Sequence, residues 1–448
     1  MSIRSKSSEE TVQDIIPIWK KNIVTRISDI THMDKLHIPN YSAILPGTED
    51  FIWVYSGKGP TKADAKASAL MEAVERYSSL SENCRTDFIR GTYVDLSKSY
   101  NILHPDEVVE IVDPQFDEVD SITDFLPGFD LLANENVLVP VQLALSRYQA
   151  KAPAANVFPY SHTNGLASGN VIEEAVYQAL CEVVERDASS IADLCASSVP
   201  YNILERIANS LSQSENGGYL IRRIPAAKKF VDDATIFPKV DISDFPSDEP
   251  VHILIERFTK AGMSLLIKDI TQKDIRIPTF VASSVEWVTH NYGYFAKGYG
   301  THVDSKTALI RAITEVSQTR AVNIQGARDD LKKIYYRVDD EIYKRKWPFM
   351  DCFLNPYNKS SNKAHINTIK FREIETHANI DILDDIKLIL RRLKSAGLKK
   401  VIIVELTNPK IGIPVVRAIV PGLETFEVTG SIMGNRAKQC FRMLHSKR

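Results

Sequence analysis

Residues 172–186 of the chain read IEEAVYQALCEVVER. The polar residues Glu174, Gln178, Glu182 and Glu185 of this stretch are spaced four, four and three positions apart. On an α-helix, which turns about 100° per residue, this spacing places the four side chains on one stripe. The opposite face is apolar. The segment therefore predicts a long helix, over about residues 172 to 192, that packs on a core and presents a row of carboxylates.

The same pattern occurs in two further places along the chain. SALMEAVER at residues 68–76 resembles QALCEVVER at residues 178–186, and a weaker copy, TALIRAITE, occupies residues 307–315. Helices are predicted around these copies, from about residue 61 to 80 and from about residue 306 to 323. The copies are too far apart and too unequally spaced for a solenoid, so one supersecondary unit is predicted to recur around a shared centre.

The glutamates of these helices allow two interpretations. The helix that carries Glu72 and Glu75 is apolar nearly all round, which predicts that it is largely buried. Buried like charges require partners, and a cluster of carboxylate oxygens suits Mg2+, usually together with phosphate oxygens and water. Alternatively, Arg76 and Arg186 pair with the carboxylates, and the cluster is then structural.

Glycines precede each of the three helices, in SGKG at residues 56–59, TNGLASGN at 163–170 and GYGTH at 298–302. Read as loops, they would offer free N–H groups at helix N-termini to anions. None of them matches a Walker A or a Rossmann motif. Arg311 replaces the glutamate of the other two copies, and a phosphate chain bridged by Mg2+ needs such a positive charge. His302 is expected to be a packed or turn histidine, and Cys181 a core thiol.

Composition excludes several classes of protein. The chain has 448 residues, 44% of them apolar, and a net charge of −2, so a mixed α/β protein without a strongly basic nucleic-acid face is expected. The five cysteines form no CxxC pair, which argues against a disulfide framework and a structural zinc site. No apolar run reaches the length of a bilayer-spanning helix, and the start of the chain lacks the apolar region of a signal peptide. A cytoplasmic protein without a membrane partner is expected.

The remaining elements are predicted from local patterns. A first helix is expected over residues 9–22, one strand over 42–55, short strands and loops over 82–145, and a helix after Asp381. Loops are expected at residues 212–218 and 355–363. Further strands are predicted at residues 251–258, 264–270, 277–283, 400–406 and 413–420.

Taken together, the three copies resemble the three signatures of YcaO proteins. Gly57-Lys58-Gly59 with Ser68, Glu72, Glu75 and Arg76 is similar to the first, and the stripe from Glu174 to Arg186, after Asn164-Gly165, is similar to the second. Arg311 and Glu315, followed by Gln318 and Arg320, are similar to the third. The sequence departs from the family at Ala167, where the second signature commonly has a serine.

The resemblance implies an α/β YcaO-type fold with internally repeated strand–helix units around a Mg-ATP site. It implies a catalytic core over residues 1–345 and a C-terminal part over residues 346–448 that offers a surface for substrate or partner. Arg311 and Glu315 would act in catalysis. The implied ligands of Mg2+, or partners of those ligands, are Glu72, Glu75, Glu174, Gln178, Glu182, Glu185 and Glu315. The implied nucleotide contacts are Ser68, Asn164, Arg311, Lys58, Arg4 and Thr11.

The family uses ATP to phosphorylate an amide oxygen after a nucleophile has added to the carbonyl. A side-chain nucleophile gives an azoline ring, and external sulfide gives a thioamide. Azoline-forming members typically end in a proline-rich tail, whereas residues 440–448 read CFRMLHSKR. GIPVVRAIVPGLE at residues 412–424 and VTRISDI at 24–30 resemble the archaeal thioamidating members.

Some of these archaeal members modify a glycine of methyl-coenzyme M reductase, often with a TfuA-type partner. The resemblance thus favours ATP- and Mg2+-dependent thioamidation of a peptide or protein with a sulfide donor, by a homodimer. Azoline formation on a ribosomal peptide is one alternative. A non-catalytic sulfur-relay or assembly factor for ribosomal-protein modification is another.

Overall fold

The computed structural model describes thirteen parts of the chain, and the loops predicted at residues 212–218 and 355–363 lie outside them. The described residues are 4–19, 24–45, 53–81, 83, 88–159, 161–196, 237–243, 245–287, 292–326, 336–337, 367–377, 379–425 and 433–446. Their helices are α1 (Ser8–Trp19), α2 (Lys62–Ser79), α3 (Tyr93–Leu96), α4 (Val141–Ala144), α5 (Ile172–Ala196), α6 (Pro250–Lys260), α7 (Ser305–Gln325), α8 (Ile382–Ser395) and α9 (Asn435–Ser446).

The strands of the described residues form three sheets. They are β1 (Arg26–Asp29), β2 (Asn40–Leu45), β3 (Trp53–Lys58), β4 (Ile89–Gly91), β5 (Thr123–Asp130), β6 (Glu135–Pro140), β7 (Leu166–Ser168), β8 (Lys239–Asp241), β9 (Ser264–Asp269), β10 (Thr279–Trp287), β11 (Tyr292–Thr301), β12 (Tyr336–Arg337), β13 (Thr368–Lys370), β14 (Ile402–Glu405) and β15 (Val415–Ile419). The strand orders are β1-β2-β3, β12-β11-β10-β9-β8-β13 and β4-β5-β14-β15-β7, with β6 paired to β5. The pairs are antiparallel except β8–β13. The predicted mixed α/β class is confirmed.

Each of the three helices of the repeated pattern packs against the sheet that contains the strand directly before that helix. Helix α2 contacts β3, α5 contacts β7 and β15, and α7 contacts β11. The helices are those that the sequence predicts, although α5 extends four residues further, to Ala196. Among the described residues, the three largest clusters of buried apolar side chains fill the spaces between these layers. One strand–helix unit therefore does recur, as the echoed sequences predict.

Two of the predicted glycine-rich loops are wrong, because Gly57 lies within β3, and Gly298 and Gly300 lie within β11. Gly57 belongs to β3, and a Cβ atom there would lie 2.0 Å from the backbone nitrogen of Ala69 on α2. Gly300 belongs to β11, and its Cβ would lie 2.1 Å from the carbonyl oxygen of Ala308 on α7. Glycine lets each strand lie directly on the backbone of its helix. In TNGLASGN the middle residues form strand β7, and residues 163–165 and 169–170 lie outside it.

Two further predictions are corrected. The strand predicted over residues 42–55 is a pair, β2 and β3, which runs antiparallel with Ser42 opposite Ser56. The strand predicted over residues 251–258 is helix α6. Its residues Val251, Leu254 and Phe258 are buried at helical spacing, after a proline at the first turn. A short apolar run does not distinguish a strand from a buried helix, which explains the error.

The end of the chain completes two of the sheets. Helix α8, capped by Asp381, is followed by β14 and β15, as predicted from the sequence. Strand β14 pairs with β5, and β15 pairs with β7 beside α5. Strand β13 pairs with β8. The division at residue 345 stays a prediction.

Among the described residues, no helix has both the length and the apolarity that crossing a membrane requires.

The close contact between β3 and α2 generates a prediction about stability. We expect Gly57→Ala to lower the free energy of unfolding by about 1–3 kcal/mol, because the added methyl group meets the α2 backbone. The matched control is Gly91→Ala, where the methyl group meets only the side chain of Leu96, at 2.9 Å or more. We expect a loss under about 1 kcal/mol there, since a side chain can rearrange. Denaturant unfolding of both variants measures the difference, and equal losses would contradict this packing.

Candidate active site

The start of each of the three helices is fixed by a polar side chain. Thr61 caps α2 by accepting a hydrogen bond from the backbone N–H of Asp64 at 3.1 Å, and Asp304 caps α7 in the same way. Before α5, the carboxylate of Glu174 accepts the backbone N–H and the side-chain amide of Asn170, at 2.9 and 3.0 Å. These caps satisfy otherwise unpaired N–H groups and orient the charged faces of the helices.

A carboxylate cluster lies where α2 faces α5. It is formed by Glu72, Glu75 and Glu182, with Arg76 beside them: the Arg76 guanidinium lies 3.5 Å from Glu72 and 3.6 Å from Glu75. Burial raises the pKa of Glu75 well above its ordinary value, although Arg76 opposes this, and Glu182 raises it further. Burial also raises the pKa of Glu182, against the opposing charge of Arg186. Burial, more than any imbalance of charge, therefore raises the pKa values of Glu75 and Glu182.

The second half of the site lies where α5 faces α7. Arg311 donates a hydrogen bond to the Gln178 side-chain oxygen at 2.9 Å, and the Lys58 ammonium forms an ion pair with Glu315. Burial and the charge of Glu315 raise the pKa of buried Glu185 to about 7. Burial acts on Glu315 in the same direction, but Lys58 holds its pKa below the ordinary value. Carboxylates and cations of the three repeated units thus meet at one place.

The N-terminal segment lies over the start of α5. The backbone N–H of Ser5 donates to Glu174 at 2.6 Å, and the Thr11 hydroxyl donates to the Asn170 side-chain oxygen at 3.0 Å. Arg4, next to Ser5, is exposed. Of the residues expected to contact nucleotide, Arg4 and Thr11 therefore lie near the α5 end of the stripe. Ser68 lies one turn before Glu72 on α2.

The side chains of this site can be compared with the ligands that Mg2+ and a nucleotide require. Among the described residues, no three carboxylate, imidazole or thiol groups converge closely enough to hold a bare metal ion. Mg2+ is usually bound by one or two carboxylates together with phosphate oxygens and water, so a site for Mg2+ with a nucleotide does not need such a cage. The clustered carboxylates of α2, α5 and α7, with Arg311 and Lys58 beside them, fit that group. Arg76 nevertheless pairs with Glu72 and Glu75, as the structural interpretation expects.

His302 and Cys181 have the structural surroundings that the sequence predicts. The His302 ring packs against Tyr177 with centroids 5.2 Å apart, and its Nδ1 accepts the backbone N–H of Asp304. Burial, with the nearby charge of Arg311, lowers the pKa of His302 to about 3. Burial raises the pKa of Cys181 to about 12, so this thiol is protonated at neutral pH.

The Ser168 hydroxyl, next to Ala167, donates to the carbonyl oxygen of Met71 at 3.0 Å. The hydroxyl hydrogen of Ser168 is therefore already used in a hydrogen bond to the α2 backbone. The Ser168 hydroxyl is therefore not free to replace the serine that the second signature commonly has at the position of Ala167.

Sequence reasoning assigned no role to Arg417 and Asn170. Arg417 on β15 is 1% exposed, its pKa is lowered by burial to about 10, and its charge acts on Glu182. The signal was a cation within the apolar run VVRAIV at residues 415–420, since a buried charge requires partners. Asn170 holds the carboxylate of Glu174, and its position directly before the helix was the available signal.

Solved structures with this fold are known. A heterocyclase in complex with substrate and cofactor aligns with 94% of this chain at a TM-score of 0.68 and 23% identity; the alignment covers 53% of that protein, so this chain spans about half its length. YcaO from Methanopyrus kandleri, bound with AMPPCP and Mg2+, aligns over 97% of this chain and 96% of its own, with a TM-score of 0.63 and 22% identity. At these identities the likeness establishes the fold.

Sequence relatives extend over nearly the whole chain. An uncharacterized protein of Methanothermobacter thermautotrophicus is 33% identical over 419 residues, which are 93% of each chain. A protein encoded in the tfuA 3' region of Rhizobium leguminosarum bv. trifolii is 29% identical over 449 residues, covering 98% of this chain and 93% of its own. The model of the YcaO cyclodehydratase family, described as ATP- and Mg2+-binding, matches residues 56–424. The match includes all three helices of the site and most of the chain, and the chain belongs to the YcaO cyclodehydratase family.

Proposed function

We propose that the chain is an ATP- and Mg2+-dependent enzyme that activates a peptide backbone amide by O-phosphorylation, with sulfide as the nucleophile. The product is a peptide thioamide, such as the thioglycine of methyl-coenzyme M reductase. The observation that carries the proposal is the stripe of partly buried Glu182 and buried Glu185, whose pKa values are raised, beside Arg311 and Lys58. Solvent-facing glutamates would not have these shifts.

The residues divide into two groups by charge. The carboxylates of α2 and α5, with Glu315, are the proposed ligands of Mg2+, and Arg311, Lys58 and Asn164 are the proposed contacts of the phosphates. MgATP, when bound, supplies the phosphoryl group that turns the amide oxygen into a leaving group. Burial of the cluster strengthens every electrostatic contact that these residues make, because little water is present to screen them.

Sulfide as the nucleophile is supported by the relative encoded in the tfuA 3' region. We include a TfuA-type partner and a homodimer in the proposal. Azoline formation remains a second candidate, because the family is one of cyclodehydratases and a heterocyclase shares the fold. A non-catalytic assembly factor would have no use for this cluster of carboxylates, whose desolvation is costly.

The first prediction concerns nucleotide binding. We expect Glu182→Gln to weaken Mg2+-dependent ATP binding by at least about tenfold, because the substitution removes a buried charge from the ligand set. Calorimetric titration with ATP, with and without Mg2+, measures the effect. The matched control is Glu173→Gln, on the first turn of the same helix and outside the cluster. Binding that is indifferent to both Mg2+ and Glu182 would show that the carboxylates are structural.

The second prediction concerns the product. The protein is incubated with MgATP, sodium hydrosulfide and a peptide that spans the thioglycine position of methyl-coenzyme M reductase, with and without a TfuA-type protein. We expect the peptide mass to rise by the difference between sulfur and oxygen. A loss of one water from a peptide that contains cysteine, serine or threonine would identify azoline formation instead. Absence of ATP turnover under every one of these conditions would favour the assembly factor.

The third prediction concerns the source of sulfur. We expect Cys181→Ala to form thioamide at a rate within about threefold of the original, because a buried, protonated thiol is a poor sulfur carrier. Mass spectrometry after alkylation of the folded protein should show Cys181 unmodified, and unfolding should expose it. Loss of product with intact ATP binding would assign Cys181 a chemical role.

A further inference from the structure

A cavity of about 40 Å³ lies between α5 and β15, beside the carboxylate cluster. Most of its wall is apolar, with Val183 of α5 on one side and Val420 and Leu423 on another. Val183 directly follows Glu182 in the helix. The polar side chains of the wall are those of Glu110, His162, Asn164, Arg417 and Thr425. None of the steps proposed above uses this space, although Asn164 borders it.

The guanidinium of Arg417 is buried and only partly satisfied. Its Nη2 donates to Nδ1 of His162 at 2.9 Å, whereas Nε and Nη1 have no hydrogen-bond partner. Nε2 of His162 lies 2.9 Å from Glu110, so that nitrogen donates and Nδ1 is the acceptor for Arg417. The side-chain oxygen of buried Asn164 also has no partner. Charged donors that are buried without a partner cost stability, so these groups indicate a ligand.

The size and charge of the cavity limit what that ligand is. Because one water needs about 10–15 Å³, the cavity has room for about three waters and none for a nucleotide. Carboxylates already act on the charge of Arg417, but its Nε and Nη1 groups lack hydrogen-bond partners and can donate to an anion; the apolar wall favours an anion that is weakly hydrated. The Glu110 carboxylate also lines the cavity, but it faces His162, so a second negative charge on the ligand is disfavoured. A small, soft, monovalent anion meets these conditions.

We propose that this cavity binds hydrosulfide between Arg417 and Asn164 and holds it beside the carboxylate cluster. The choice of hydrosulfide rests on the proposed function, since thioamide formation consumes a sulfur nucleophile. In the overall reaction the sulfur forms a new bond to the amide carbon and the carbon–oxygen bond breaks. The oxygen leaves on the transferred phosphoryl group as phosphate, which takes the proton of hydrosulfide, and ADP is released. No oxidant or reductant is required.

The test fills the cavity and leaves the charges in place. Val109 lines the cavity and is partly exposed, so Val109→Phe should fold while its ring occupies the space. The matched control is Val119→Phe, at a residue that is 63% exposed. The whole protein is titrated anaerobically with sodium hydrosulfide in a calorimeter, with sodium chloride as the reference salt. We expect saturable binding to the original and to Val119→Phe, and affinity at least about tenfold weaker in Val109→Phe.

Two further measurements separate this inference from the proposed function. MgATP binding, measured without hydrosulfide, should be the same in both phenylalanine variants, which reports that Val109→Phe is folded. Asn164→Leu, which keeps the branched shape of the side chain, should also weaken hydrosulfide binding, because it removes the unpaired oxygen that accepts the S–H group of hydrosulfide. Direct binding of hydrosulfide is measured without turnover, so failure to detect thioamide would overturn the proposed function and leave the site standing. Absence of saturable hydrosulfide binding, or equal binding by Val109→Phe, would overturn the site and mean that the cavity holds water only.

Discussion

Carboxylates that are crowded between packed helices repel one another, and they lose hydration as well. This constraint governs the centre of the molecule, where Glu75, Glu182 and Glu185 are held close together with raised pKa values. Helix packing has to supply the free energy that keeps them there. The surrounding arginines and Lys58 offset part of the repulsion, and the rest is left for a bound cation to offset. Burial at this place therefore has a cost to stability, which helix packing offsets and which ligand binding lowers further.

The repeated strand–helix unit explains how such a centre is assembled. Each unit supplies one charged helix face, and glycines in β3 and β11 bring the backbones of strand and helix into direct contact. The units differ in the charges that they present. The faces of α2 and α5 carry glutamates, whereas α7 carries Arg311 with Glu315. Packing equivalent units together therefore brings opposite charges to one point, as a phosphate chain with its metal ions requires.

The C-terminal part of the chain is tied to the same centre. The buried Asp187 carboxylate on α5 accepts hydrogen bonds from Arg436 of α9, at 2.8 and 2.9 Å, and from the backbone N–H of Glu424. Glu424 in turn accepts the N–H groups of Gly434 and Ala437 at the start of α9. Because Asp187 lies two residues after Glu185, these contacts fix the part of α5 that carries the end of the carboxylate stripe. Through these contacts, and through Arg417 on β15, residues after position 400 lie next to the candidate site.

Features that depend on residues close together in the chain could be predicted from the amino-acid sequence. The helices α2, α5 and α7 and the stripe from Glu174 to Glu185 followed from periodicity, because helical spacing sets which side chains share a face. The folded arrangement was needed to see that the glycines of β3 and β11 are packing contacts, that residues 251–258 form a helix, and that Arg417 lies buried beside the carboxylates. Those outcomes depend on what a distant segment places against each residue, and local patterns in the chain do not record such neighbours.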